Sequence, residues 1–279
     1  MAARLRQVGT ISSYVSSAFA PDGQTLYVNH GSAISAYPYP SLSGASTVYT
    51  APGSNTIDGI ACDDAGTVFW WEDTGVSPGG MLLYRDTSDQ DVLTTTVDET
   101  NPETLCWSPY DGMLYSVGVF DVVDGETLRR YDPSTGAATI LDYPTVTGVT
   151  AVNAPVPTLD GGVWWSTPNP SLRSLYRWDI PTSTLDRRTA QVDDGGVPRS
   201  SDELWLYGDP SGAAPAGGYR YDFEMSREVL PVLDSFTPGV RACAYTPTLR
   251  RVCFQRGATG EVWTIDDRRF WVGSTGFSR

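Results

Sequence analysis

Three polar residues stand out for chemistry by their type and spacing: Asp58, Glu103 and Asn153, 45 and 50 residues apart. Two carboxylates and an amide carbonyl are hard oxygen ligands of the kind Ca2+ takes. A near-constant interval lets successive structural units deliver them to one point. The competing reading is a set of polar strand ends that hydrate a water-filled opening. Val15, Gly195 and Arg241 occupy the same place in the other units, where two supply no ligand and the third brings a positive charge. A second acidic set, Glu72, Asp73, Asp121, Asp124 and Asp209, falls in long glycine-rich stretches such as 72–80, 119–125 and 208–217. An acidic loop face of that kind binds a divalent cation, a cationic protein or a sugar, and these five residues are the binding candidates.

Other chemistries lack parts. His30 is the only histidine, so no second imidazole completes a metal triad, and a Ser-His-Asp relay has no GxSxG nucleophile to serve. No GxxxxGK[ST] phosphate loop is present, and no GxGxxG follows a strand and opens a helix. Carboxylates are abundant, but no spacing selects a glycosidase pair. Cys62, Cys106, Cys243 and Cys253 show no CxxC pairing and read as small buried hydrophobes. Cys243 and Cys253 are the pair that a hairpin disulfide would join. No catalytic residue is assigned, and an enzyme is the less favoured expectation.

Composition narrows the partners. The 33 acids against 19 bases leave a net charge of −14, which repels phosphate backbones and anionic lipid heads. Nucleic acid and membrane insertion are therefore not expected. All 19 bases are Arg, a bias expected of a GC-rich genome. Residues Met1 to Val8 lack the apolar stretch of an export signal, so the chain is expected to be made in the cytoplasm.

The elements that must position these residues follow from an internal repeat. Each copy has a half-apolar strand, a turn usually carrying Asp and Gly, and a strongly apolar second strand. Examples are Ala18 to Val28, Ile60 to Trp71 and Leu105 to Tyr115; later copies turn into Val163-Trp164-Trp165, Leu204 to Tyr207 and Val252-Cys253-Phe254. The turn positions 23, 66, 112, 161, 203 and 249 recur every 42 to 49 residues. A third strand in phase usually ends in Asp, as at Asp86, Asp132, Asp179, Asp222 and Asp266, and that Asp suits capping the next turn. The period is that of a four-stranded propeller blade, roughly 40–50 residues. The expected fold is thus all-β: one domain over 1–279, with six four-stranded antiparallel blades and negligible helix. The Trp pairs at 70–71 and 164–165 are expected to fill inter-blade core on both faces of their sheets. Leu5 to Thr10 is expected to close the ring, with Phe270-Trp271-Val272 as the competing segment.

The stretches Ala18 to Val28 and Ile57 to Gly66 resemble the blade signatures of sugar-lactonase (gluconolactonase) and NHL-type six-bladed propellers. That resemblance implies one divalent metal at the channel mouth, held by Glu, Asn and Asp, with an Asp also acting as base. Asp58, Glu103 and Asn153 match those parts by position. Val15-Ser16-Ser17 lacks the family's early glutamate, and no Asn-Gly follows where its asparagines belong. Two functional expectations result. The first is a non-enzymatic binding and assembly protein with no cofactor. Its partners would be other protein chains in a larger assembly or a cell-surface ligand, as in a tail- or capsid-associated component of a bacteriophage virion. The alternative is a cytoplasmic Ca2+-dependent lactonase-like hydrolase.

Overall fold

The computed structural model describes residues 5–13, 15–75, 81–86, 91–96, 104–119, 126–142, 155–167, 174–189, 196–200, 203–208, 217–222, 227–229, 240–246, 251–256 and 260–265. Among them there is no helix. The N-terminal strand is β1 (Leu5–Thr10). A first sheet follows: β2 (Ser16–Phe19), β3 (Thr25–Asn29), β4 (Ala33–Pro38) and β5 (Ser46–Thr50). The second holds β6 (Thr56–Cys62), β7 (Val68–Asp73), β8 (Met81–Arg85) and β9 (Asp91–Thr96). The third holds β10 (Cys106–Ser108), β11 (Met113–Val119), β12 (Glu126–Tyr131) and β13 (Ala138–Asp142). Strands β14 (Val156–Pro157), β15 (Gly162–Thr167), β16 (Ser174–Asp179) and β17 (Thr184–Thr189) form the fourth. The fifth contains β18 (Gly196–Ser200), β19 (Glu203–Gly208), β20 (Gly217–Asp222) and β21 (Arg227–Val229). Finally β22 (Val240–Thr246), β23 (Arg251–Arg256) and β24 (Glu261–Ile265) pair in order, and β1 joins them on the outer side of β24. All pairings are antiparallel meanders, with β1–β24 running from Leu5 opposite Ile265 to Thr10 opposite Glu261.

The turn residues act as their chemistry requires. Gly23, Gly66, Gly112 and Gly161 all sit at positive φ between first and second strands, a conformation that a side chain resists. After the third strand, the Asp132 carboxylate accepts from the Ser134 backbone N–H at 2.7 Å, the turn cap expected of that position.

Apolar residues on both faces of the sheets build cores between neighbours. Ile34, Tyr49 and Ala51 of the first sheet and its exit meet Ile57, Ile60, Val68 and Trp70 of the second. Ala61, Phe69, Trp71 and Leu83 on the other face of that second sheet meet Leu105, Leu114 and Tyr131. The next interface sets Cys106, Tyr115, Val117 and Leu128 against Val163, Trp165, Tyr176 and Trp178. On its other side, the first sheet lays Phe19, Leu26 and Val28 against Ile11 and Val262. Trp70 and Trp71 are thus buried in two different interfaces, as side-chain alternation demands. The Trp70 ring lies 4.6 Å from Tyr49, and Trp71 meets Tyr131 edge-on at 5.2 Å. Trp164 and Trp165 are buried as well. The Trp205 side chain lies outside the described residues.

One expected pair is out of step. Cys243 stands opposite Phe254 and Cys253 opposite Ala244, so the hairpin register does not set the two cysteines against each other. Cys62 and Cys106 are free thiols. The competing closing segment at 270–272 lies outside the described residues.

Candidate functional site

Strands β3 and β7 end, and β6 begins, at one end of the sheets, and there the first of the candidate residues are found. Asp58 follows Ile57 at the start of β6, where the ladder slips between Ile57 and Ile60. The slip is a bulge, and Gly59 lies within it. A Cβ on Gly59 would stand 2.8 Å from the Leu105 backbone N and 2.9 Å from the Thr104 carbonyl carbon. Strand β6 and the two residues that lead into β10 therefore approach backbone to backbone beside Asp58.

Asp58 is also held from the other side. Ser16 Oγ donates to its carbonyl oxygen at 3.0 Å, and so does Asn29 Nδ2 at 3.0 Å. Asn29 is fully buried and donates in addition to the Ile57 carbonyl at 2.7 Å. Its Oδ1 accepts from the Gly31 N–H at 2.7 Å. The two Nδ2 protons are shared among Ser16 Oγ at 3.1 Å and the Ile57 and Asp58 carbonyls, and the two carbonyl contacts make Asn29 a polar tie between the first and second sheets. Sequence reasoning passed over it, since a single Asn at a strand end carries no spacing signal. Asp58 is brought to this tie by its backbone, while Glu103 and Asn153 lie outside the described residues. Among the described residues no three His, Cys, Asp or Glu side chains converge in a way that holds a metal.

Glu72 occupies a different setting from the loop in which its neighbours in sequence place it. Strand β7 runs on past Trp71, pairing Glu72 with Ile57 and Asp73 with Thr56. The Glu72 side chain is fully buried. Tyr49 of the first sheet donates its hydroxyl to Oε2 at 2.5 Å, and Asn55 Nδ2 reaches Oε1 at 2.5 Å. Both carboxylate oxygens are therefore spent within the protein, one on a tie from the first sheet and one on the linker that enters β6. Asp73 is half-buried and uses Oδ1 to receive the Gly75 N–H at 2.7 Å. Asp121, Asp124 and Asp209 lie outside the described residues. His30 is half-buried, with Nδ1 at 3.1 Å from the Ser12 carbonyl and Nε2 at 3.3 Å from the Tyr37 hydroxyl. The carbonyl can only accept, so Nδ1 carries the proton.

The opposite end of the sheets has its own electrostatics. Asp22, Asp63 and Asp64 sit in turns there, beside Tyr27 and Cys62. Burial, and after it Asp63, Asp22 and Asp64, pushes the Cys62 thiol up to about 12. Burial also raises the Tyr27 phenol, with Cys62, Asp86 and Asp22 adding to it. The Asp86 carboxyl is raised by burial, whereas Asp132 is lowered by its bonds to the Ser134 hydroxyl and N–H. Burial and the bond to Asp111 hold the Tyr115 phenol above its ordinary range.

No family model matches the chain, and no curated protein matches it in sequence. Many solved structures are similar in fold. The putative TolB of Agrobacterium tumefaciens matches with a TM-score of 0.60 at 16% identity, covering 96% of this chain and 100% of that one. The WD40 repeats of RRP9 match with a TM-score of 0.60 at 10% identity, covering 95% and 98%. An auxiliary nutrient binding protein of Bacteroides thetaiotaomicron matches with a TM-score of 0.60 at 12% identity, covering 92% and 69%. At such identities the likeness concerns fold alone. The fold shared with these structures is the β-propeller.

Proposed function

We propose that this β-propeller is a closed ring of six blades that binds and assembles with other protein chains and does not turn over substrate. Support for the ring comes from the first strands, which adjoin in the order β2, β6, β10, β14, β18 and β22, with β22 beside β2 again. Strand β1 supplies the fourth strand of the last sheet. The single observation that carries the binding reading is the run of four inter-sheet cores. A sheet clamped on both faces is stiff, so the turns and loops at its ends meet a partner with little ordering cost.

The finer form of the proposal is a structural or receptor-facing component of a bacteriophage virion, made in the cytoplasm and incorporated in the particle. It rests on composition, 19 Arg with no Lys. Cross-linking of the purified chain in a lysate of its source cells, read by mass spectrometry, tests the binding reading. Stoichiometric cross-links to defined protein chains are expected, and virion proteins among them would support the finer form. Stoichiometric Ca2+ that is lost on Asp58→Asn would overturn the reading, as would lactone hydrolysis abolished by Glu103→Gln.

A further inference from the structure

The end of the sheets opposite Asp58 and Glu72 carries the turns from first to second and from third to fourth strands. In the third and fourth sheets these are residues 109–112, 132–137, 158–161 and, with the last residue of β16, 179–183. They contain Asp111, Asp132, Asp160 and Asp179, and no Arg. The corresponding described turns of the first two sheets add Asp22, Asp63, Asp64 and Asp86, again without an Arg. Arg130 pairs with Tyr115 within strand β12 and is not in a turn.

Two large apolar side chains stand exposed in this acidic setting, Tyr110 at 46% and Leu159 at 52%. Gly161 brings their surroundings together. Its φ is +96°, and a Cβ there would stand 2.8 Å from Pro181 Cδ and 3.3 Å from Tyr110 Cδ1. Tyr110 of the third sheet and exposed Pro181 of the fourth thus close over Gly161, with Leu159 two residues away in the same turn. The other exposed large hydrophobics among the described residues, Val15 and Ile140, lie elsewhere: one at the opposite end, one in outer strand β13.

Three of the carboxylates in these turns are oriented by hydrogen bonds from neutral groups. Asp111 accepts from the Tyr115 hydroxyl at 2.7 Å, Asp132 from the Ser134 hydroxyl and N–H, and Asp179 from the Thr182 hydroxyl.

We propose that the Tyr110–Leu159–Pro181 patch docks a protein segment that presents a bulky apolar side chain flanked by arginine or lysine. The apolar centre offers a surface that a partner can desolvate, and the acidic rim attracts a cationic segment while repelling an acidic one. The patch gives a surface and a partner chemistry to the binding role proposed above, and rests on that role.

The test uses the full chain and a fluorescein-labelled peptide with one leucine between two arginine pairs, followed by anisotropy. A matched peptide with glutamate in place of arginine is the control. Tyr110→Ser combined with Leu159→Ser should weaken binding by at least about tenfold, because contacts at the centre of an interface dominate its energy. The double variant keeps the net charge, so that loss separates the patch from bulk attraction to an acidic protein. Asp160→Asn should weaken binding and flatten its salt dependence, and Ile140→Ser should bind as the unaltered chain does. Both serine positions are exposed, and circular dichroism checks that each variant folds. Equal binding of the glutamate peptide, or no loss in the double variant, overturns the proposal. Self-association that the double variant abolishes also overturns it, because the occupant would then be a second copy. If protein partners cross-link only at the opposite end, the patch fails and the binding role stands. If no protein cross-links anywhere, the role itself fails.

Discussion

Replacing Asn29 should weaken the contact between the first and second sheets, and the expected cost can be worked from its hydrogen bonds. Alanine removes donation to the carbonyls of Ile57 and Asp58 and acceptance from the Gly31 N–H. Those three backbone groups then lose a partner where Asn29 itself had no exposure. The Asp58 carbonyl keeps Ser16 Oγ, so two groups are left short, and at about 1–2 kcal/mol for each Asn29→Ala should cost about 2–4 kcal/mol. Asn29→Asp is the sharper probe, because it keeps the shape and the bond from Gly31 but turns the donor into an acceptor. As an anion it would face two carbonyl oxygens, and as a neutral acid it can donate to one of them. Its folded-state pKa should therefore lie above the unfolded value. A group raised in this way is favourable below its unfolded pKa, and the advantage is lost as pH rises through the folded pKa. The variant should be closer to the parent in stability at pH 4 than at pH 7. Urea unfolding followed by tryptophan fluorescence at both values measures this. A loss under about 1 kcal/mol for Asn29→Ala, or an Asn29→Asp deficit independent of pH, would refute the reasoning.

Gly59→Ala should destabilise although alanine is small, because its Cβ would meet only backbone, at 2.8 Å from Leu105 N and 2.9 Å from Thr104 C. Thermal unfolding should reveal a clear drop, and an unchanged midpoint would contradict the close approach. Trp71→Ala should cost about 3–5 kcal/mol in urea unfolding, as deletions of fully buried large aromatics do. Ser134→Ala should raise the Asp132 pKa towards the ordinary carboxylate value, measurable by carboxyl 13C titration. A lowered carboxyl supports the fold above its unfolded pKa and ceases to as pH falls through its folded value, so this variant should begin to lose that support at a higher pH. Cys62, held up to about 12, should resist alkylation at pH 8 in the folded protein and react promptly once unfolded.

By itself the sequence determined what is local. Turn glycines at 23, 66, 112 and 161, aromatic second strands and the Asp at the end of most third strands specify strand, turn and strand in repeating order, because backbone sterics and alternation act over a few residues. The Trp pairs were legible as core for the same reason. The tertiary structure decided whatever depends on partners distant in the chain. Leu5–Thr10 lies along Glu261–Ile265, a pairing that no local signal selects. Cys243 misses Cys253 by one step of register, and a single step moves a residue to the other face. Glu72 reads as the start of an acidic loop, yet β7 continues through it, and Tyr49 and Asn55 take both its oxygens in the interior. Asn29 looks like any polar strand end until the second sheet places the Ile57 and Asp58 carbonyls within its reach. The acidic turns are plain in the sequence, but their gathering around Tyr110, Leu159 and Pro181 required two sheets to meet over Gly161. A buried polar group takes its role from what lies across an interface, and the chain between the two sides does not encode that geometry locally.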